Sequence, residues 1–300
     1  MTDRQPNPAG PASIEALRQE IDRLDTEVHD LIMRRAELVR RIGQAKQAGD
    51  PAAGAGYFRP AREAAVLRRL MARHHGPLSK VAMLRLWREL MGAMLCLQGP
   101  FQVAVLAHAR WPGLWTLAHD HFGSQATIMT VDSAGAVLRA VAEGQAGAGV
   151  LPLPAGDDAD PWWPFLFQEG PKAPRVAARL PFGPAQVMRG GTVEALVVGR
   201  VAAQPTGHDR TLIGFETAGK VSHDGLTTAL KGVGFGMTTA FALKDKRGGW
   251  VLLAEVDGFV DAKDARLVGL EKLQNEPILH SWLLGGYAEP FTADDMAMTD

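Results

Sequence analysis

SIEALRQEIDRLDTEVHDLIMRRAELVRRIGQAK, residues 13–46, sets the organisation of this 300-residue chain. Its apolar residues Ile14, Leu17, Ile21, Leu24, Val28, Leu31, Leu38 and Ile42 recur in steps of three and four, the mark of one stripe along a long helix. One seam position breaks the pattern. Between Leu31 and Leu38 the alternation asks for an apolar residue, and the chain supplies Arg35. Burying a guanidinium is costly unless an anion meets it, so Arg35 snorkels to solvent, pairs with a Glu, or receives an anionic ligand. Lys46 follows 11 residues later on nearly the same face, about 16 Å further along the axis. Two cations then look down one apolar groove.

The neighbouring segments extend this into a helical unit. Ser13 suits the N-cap, Glu15 and Glu20 lie near the positive end of the helix, and Arg40, Arg41 and Lys46 lie near its negative end. Gly49 and Pro51 stop it, and AGDPAAGAG reads as a loop. Pro60 opens a second helix, AREAAVLRRLMARHH, with Arg62 and Glu63 in its first turn and Gly76-Pro77 beyond its end. Ser79 caps a third, KVAMLRLWRELMGAMLCLQ, whose stripe of Leu84, Trp87, Met91, Met94 and Leu95 finishes on the polar Gln98 before Gly99-Pro100. Arg18 precedes Arg35 by 17 residues, about 25 Å along the helix and roughly 100° around it. The two cannot hold one small molecule from the same copy, but they can across an antiparallel dimer, which so long a seam predicts on its own account.

From Phe101 the periodicity changes. FQVAVLA, ATIMTV and AGVLPLP read as buried strands separated by helices around 114–122 and 134–143, a βαβαβ parallel-sheet signature. Residues 154–190 read as loop carrying an irregular strand, and GGTVEALVVGR supplies another strand. From Arg210 the order is β-α-β-β-α-β: TLIGFET, HDGLTTALKGV, GMTTAFAL, WVLLAEVDGFV, AKDARLVGLEKLQ and ILHSWLLGGYA, which is ferredoxin-like. The expected divisions are a disordered leader over 1–12, a helical domain over 13–100, an α/β domain over 101–205 and an α+β domain over 206–300.

Charge narrows the function classes. Residues 1–100 carry 16 Lys+Arg against 11 Asp+Glu, and residues 101–300 carry 16 against 22. The basic excess lies on the helices without a like-charge run or interleaved aromatics, which favours a small anion over nucleic acid. Cys96 is the single cysteine, the first residues have neither an apolar core nor a basic start, and no apolar run approaches the ~20 residues that span a bilayer. A cytoplasmic protein away from membranes is expected. His74-His75 reads as a helix-end cap and not a metal pair, Trp162-Trp163 as a loop anchor, and GVGFG at 232–236 as a weak phosphate-loop echo.

The helical residues resemble the all-helical class of chorismate mutases, through LRQEIDRLDTEVHDLIMRRAELVRRIGQAK, FRPAREAAVLRRLM, and LWRELM with Gln98 twelve residues after Leu86. The whole chain is similar to bifunctional chorismate mutase and prephenate dehydratase proteins that end in an amino-acid-binding ACT domain. The resemblance implies an intertwined homodimer working on chorismate in aromatic amino-acid biosynthesis. Arg18 of the partner subunit and Arg35 would hold the two carboxylates, Lys46 and Gln98 the ether oxygen, and Glu63 the hydroxyl, while Arg62 adds positive field. No metal or cofactor is implied. Arg59 and Met94 stand where some members have Asp and Ser, which lowers the expected rate.

The other family motifs are eroded. The dehydratase Gly-Pro-x-Gly-Thr turn is His108-Ala109-Arg110-Trp111-Pro112-Gly113, its Pro-x-Glu-Asn-Ser is Pro152-Leu153-Pro154-Ala155-Gly156, and its Thr-Arg-Phe is Val193-Glu194-Ala195. About 35 residues separate PLPAG from the return strand, too few for a second α/β lobe. In the ACT-like part, Pro-Gly-Ala-Leu is His223-Asp224-Gly225-Leu226 and Glu-Ser-Arg-Pro is Phe241-Ala242-Leu243-Lys244, although LLGGYA keeps the family's closing run. Mutase without dehydratase activity is the leading expectation. The alternative is a catalytically inactive regulator or scaffold that dimerises through the helices and senses an amino acid at its far end.

Overall fold

A computed structural model describes residues 13–49, 56–156, 161–184, 193–244, 249–271 and 278–297. The leader, the middle of the AGDPAAGAG loop with Pro51, and the end of the last predicted helix at 272–274 lie outside them. Helix α1, Ile14–Gly49, is opened by Ser13, whose hydroxyl accepts the Ala16 N–H at 3.2 Å. At 36 residues it is about 54 Å long. Its apolar stripe faces outward, with Ile14 71% and Leu24 51% exposed, and its one buried residue is Gly43.

Helices α2, Pro60–Ala72, and α3, Lys80–Cys96, pack through Ala64, Leu67 and Met71 against Leu84 and Met91, and this cluster also takes in Phe182, Ala288 and Met296. Pro60 stands in the first turn of α2, and the Ser79 hydroxyl caps α3 by accepting the Ala82 N–H. Helix α2 ends three residues earlier than its pattern predicts. The Arg73 N–H closes it on the Arg69 carbonyl and the His74 N–H on the Met71 carbonyl, and His74 Nε2 lies 2.6 Å from the Leu78 carbonyl in the following turn.

Strands β1 (Gln102–Leu106), β2 (Thr127–Val131) and β3 (Ala148–Pro152) are parallel and are joined by α4 (Leu114–Phe122) and α5 (Ala134–Glu143). Strands β4 (Arg175–Leu180) and β5 (Ala195–Gly199) return antiparallel. The irregular strand expected within 154–190 is β4, whose pairing with β5 shifts register between Val176 and Ala178. Its near-continuous burial leaves no alternation to read. Trp162 and Trp163 are buried beside it, and Trp162 Nε1 donates to the Pro152 carbonyl at 3.0 Å, which makes the pair a loop anchor.

The remaining strands β6 (Asp209–Thr217), β7 (Met237–Lys244), β8 (Trp250–Asp257) and β9 (Ile278–Ala288), with α6 (His223–Gly232) and α7 (Ala265–Glu271), lie in the antiparallel order β9-β6-β8-β7. That is the predicted ferredoxin-like arrangement. A short α8 (Ala293–Met296) follows. The two sets of strands form one sheet of nine, β2-β1-β3-β5-β4-β9-β6-β8-β7, because β4 and β9 pair in parallel at Val176 and Gly285.

Two close approaches position the rest. At the β4–β9 joint, Gly285 has φ +110°, and a Cβ there would collide with the Val176 backbone, so the joint requires glycine. At the helical end, Phe58 is fully buried among Phe101 and Phe122, with ring centroids 6.0 and 5.5 Å away. This fastens the segment entering α2 to the β1–α4 layer. Gly285→Ala combines left-handed strain with a backbone clash and is expected to cost about 3 kcal/mol, read as a lowered urea midpoint. An unchanged midpoint would mean that the joint does not hold the sheet together.

Candidate active site

Gly43 governs how α1 meets the other helices. A Cβ at this position would stand 2.7 Å from the Gln98 carbonyl oxygen and 2.8 Å from its Cα, so only glycine lets α1 lie against the end of α3. Lys46, one turn on, therefore reaches Gln98: its Nζ donates to Gln98 Oε1 at 3.3 Å and to the Gly56 carbonyl at 2.9 Å. The same ammonium lies 5.2 Å from the Tyr57 ring centroid. Gly56 and Tyr57 are held there by their buried neighbour Phe58.

Around this junction is a cavity of about 450 Å³ lined by Arg35, Lys46, Arg62, Glu63 and Gln98 together with apolar walls from Leu38, Val39, Ile42, Val66, Met91, Met94 and Leu95. Five of the six residues singled out from the sequence thus share one concavity. Arg18 does not. It sits on the exposed half of α1, 4.0 Å from Glu15.

Positive charge dominates the lining. Arg35 Nη1 is buried and has no hydrogen-bond partner among the described residues. Burial, and then the nearby Arg62, holds the Arg35 guanidinium below its ordinary pKa. Lys46 is likewise held below the usual lysine range, first by burial and then by Arg59. Arg59 lines the cavity and donates Nε to the Gly56 carbonyl at 3.2 Å, so this departure from the family pattern adds a cation beside Lys46. The carboxylate in the lining, Glu63, is committed to Arg88, whose Nη1 donates to its Oε2 at 2.9 Å. Burial pushes the Glu63 carboxyl up, and Arg88 opposes that shift.

Such a site suits a compact molecule with more than one negative group. Planar guanidinium forks grip carboxylates, and the apolar walls take a hydrocarbon ring. No group of three potential metal ligands occurs among the described residues.

Sequence reading missed Gly43, Tyr57, Arg88 and Gln204. Arg88 was detectable, since it falls on the α3 stripe of Leu84, Met91 and Leu95 as Arg35 falls on that of α1. Gly43 sits on the same buried edge as Lys46. Nothing local marks Gln204, which reaches the cavity from beyond β5.

Residues 17–99 match the family described as chorismate mutase type II. A bifunctional chorismate mutase/prephenate dehydratase of Stutzerimonas stutzeri is 36% identical over 143 residues, covering 47% of this chain and 38% of that protein. The chain therefore spans under two fifths of the length of this curated relative. Among solved structures, one described as a novel type of quorum-quenching acylase aligns with TM-score 0.45 at 19% identity, covering 63% of this chain and 96% of the other. Prephenate dehydratase from Streptococcus mutans aligns with TM-score 0.41 at 13% identity, covering 64% and 100%. The helical segment is a type II chorismate mutase domain in a chain homologous to the bifunctional proteins.

The buried ion pair carries a prediction of its own. Arg88→Leu strands Glu63 without its partner and is expected to cost about 3 to 5 kcal/mol at neutral pH by urea denaturation. With its folded pKa raised further above the unfolded value near 4.5, Glu63 holds its proton more tightly folded than unfolded, so stability falls as pH rises through that window. The deficit should therefore shrink at pH 4. A deficit equal at both pH values would mean that Glu63 does not carry it.

Proposed function

We propose that this chain, whose helical segment belongs to the type II chorismate mutases, catalyses the rearrangement of chorismate to prephenate as a homodimer. The observation that carries the reading is the cavity in which Arg35, Lys46, Arg62, Glu63 and Gln98 converge, with the buried Arg35 Nη1 left without a hydrogen-bond partner among the described residues.

The chemistry matches that composition. A [3,3] rearrangement transfers no proton and makes no covalent bond to the protein, so acceleration comes from holding a compact chair and stabilising charge on the departing oxygen. Arg35 takes one carboxylate. Lys46, with two of its three N–H groups on Gly56 and Gln98, keeps a third for the ether oxygen. Gln98 supplies a neutral amide donor that works at any pH. Glu63, oriented by Arg88, accepts the substrate hydroxyl, and Arg62 adds positive field.

The second carboxylate needs Arg18 from another subunit. The outward stripe of α1, from Ile14 to Leu31, is the surface on which an antiparallel copy would lie. The proposed partner is thus a second copy of this chain, with no nucleic acid, membrane, metal or cofactor. No described helix is long and apolar enough to cross a membrane, and a cytoplasmic location fits the single cysteine. The β6–β9 unit is read as an ACT-like domain with eroded ligand motifs, and residues 101–205 as a dehydratase-like lobe without dehydratase chemistry.

Purified protein given chorismate should consume it, and no turnover above buffer at millimolar substrate would favour the inactive-scaffold alternative. Arg18→Ala and Arg35→Ala should each lose about 3 to 5 kcal/mol of transition-state stabilisation. Co-expressed, the two variants should recover about a quarter of wild-type activity, since random pairing makes half the dimers mixed and each mixed dimer has one intact site. No recovery from folded dimers would place both arginines within one chain. Given prephenate at neutral pH, the protein should release no phenylpyruvate beyond the spontaneous rate, and enzymatic release abolished by changes within 101–200 would restore the dehydratase reading.

A further inference from the structure

The segment linking β5 to β6 contributes Gln204 to the cavity lining and is fastened to α2. Arg68 of α2 donates from Nη1 to Thr206 Oγ1 at 2.9 Å and from Nη2 to the His208 carbonyl at 3.3 Å and the Glu289 carbonyl at 2.7 Å. Asp209 stiffens the same turn by accepting the Thr206 N–H at 2.8 Å, the Thr206 hydroxyl at 2.7 Å and the Gly207 N–H at 3.1 Å. Held this way, the segment brings Gln204 into the lining beside Arg59. Its exposed carboxamide bonds to no described residue, which leaves its two donors available to a ligand.

We propose that Gln204 is a further substrate-contacting residue, donating its carboxamide N–H to a negatively charged group of the substrate. This rests on the chorismate mutase reading but goes beyond it, since residue 204 lies outside the matched domain at 17–99. The β5–β6 link thus forms part of the binding wall. An exposed amide at the rim binds ground state and transition state alike, so its effect falls on KM and not on kcat. Neighbouring Arg59, Arg35 and Arg62 keep the local potential positive, so a neutral donor is tolerated there and a carboxylate facing the substrate's own charge is not.

The test compares wild type, Gln204→Ala and Gln204→Glu in chorismate turnover, and measures prephenate binding by calorimetry. Gln204→Ala should raise KM, and the prephenate Kd with it, by about tenfold with kcat within about twofold. Gln204→Glu should raise both further and flatten as salt screens the repulsion. Unchanged thermal midpoints separate this from a structural role, since Gln204 is exposed. KM and Kd within about twofold of wild type in both variants overturn the assignment while leaving the mutase reading intact. Wild type that neither converts chorismate nor binds prephenate overturns both. If wild type binds without turnover, the mutase reading falls and the Kd comparison still decides Gln204.

Discussion

Desolvated positive charge is the constraint around which the helical end of this protein is arranged. Arg35 and Lys46 stand on an apolar seam where packing alone would place aliphatic side chains, and both are held below their ordinary pKa chiefly by burial. Lys46 is compensated by two carbonyl oxygens, one from the Gly56 backbone and one from the Gln98 side chain. Arg35 lacks such compensation at Nη1, which is buried without a hydrogen-bond partner among the described residues. A buried donor without a partner costs about 1 to 3 kcal/mol. That cost is removed when an anion enters, so the unfilled site is less favourable than the filled one and the strain is directed toward binding.

The same logic explains why glycine and aromatic residues surround the cations. Gly43 lets the α1 backbone touch the end of α3, which sets the reach of Lys46. Phe58, locked between Phe101 and Phe122, sets the position of the Gly56 carbonyl. One of these contacts is internal to the helices and the other joins them to the α/β layer. The electrostatics of the cavity therefore depend on the fold of the whole chain and not on the helices alone.

Beyond the helices, the nine strands among the described residues make one sheet through the narrow β4–β9 joint at Gly285. Two units that read as separate in the sequence thus share a backbone ladder. Arg68 then ties the β5–β6 link and the Glu289 carbonyl after β9 back to α2, so the ferredoxin-like end and the helical end are joined by side-chain hydrogen bonds as well as by the chain.

Local order determined much of this protein. The three- and four-residue steps specify α1, the alternation of strand and helix after Phe101 specifies the parallel layer, and β-α-β-β-α-β specifies the ferredoxin-like unit, because each signal repeats over neighbouring residues and survives without tertiary context. Arg35, Lys46, Arg62, Glu63 and Gln98 were legible for the same reason, as polar interruptions at seam positions or helix ends. The fusion of the sheet, the Arg88–Glu63 pair, the Phe58 anchor and the arrival of Gln204 were decided only in three dimensions. Each joins residues far apart in the chain: Glu63 and Arg88 are 25 positions apart, and Arg68 and Thr206 are 138. A contact across such a separation leaves no period in either segment, and its partners are selected by packing, burial and charge once the elements have come together.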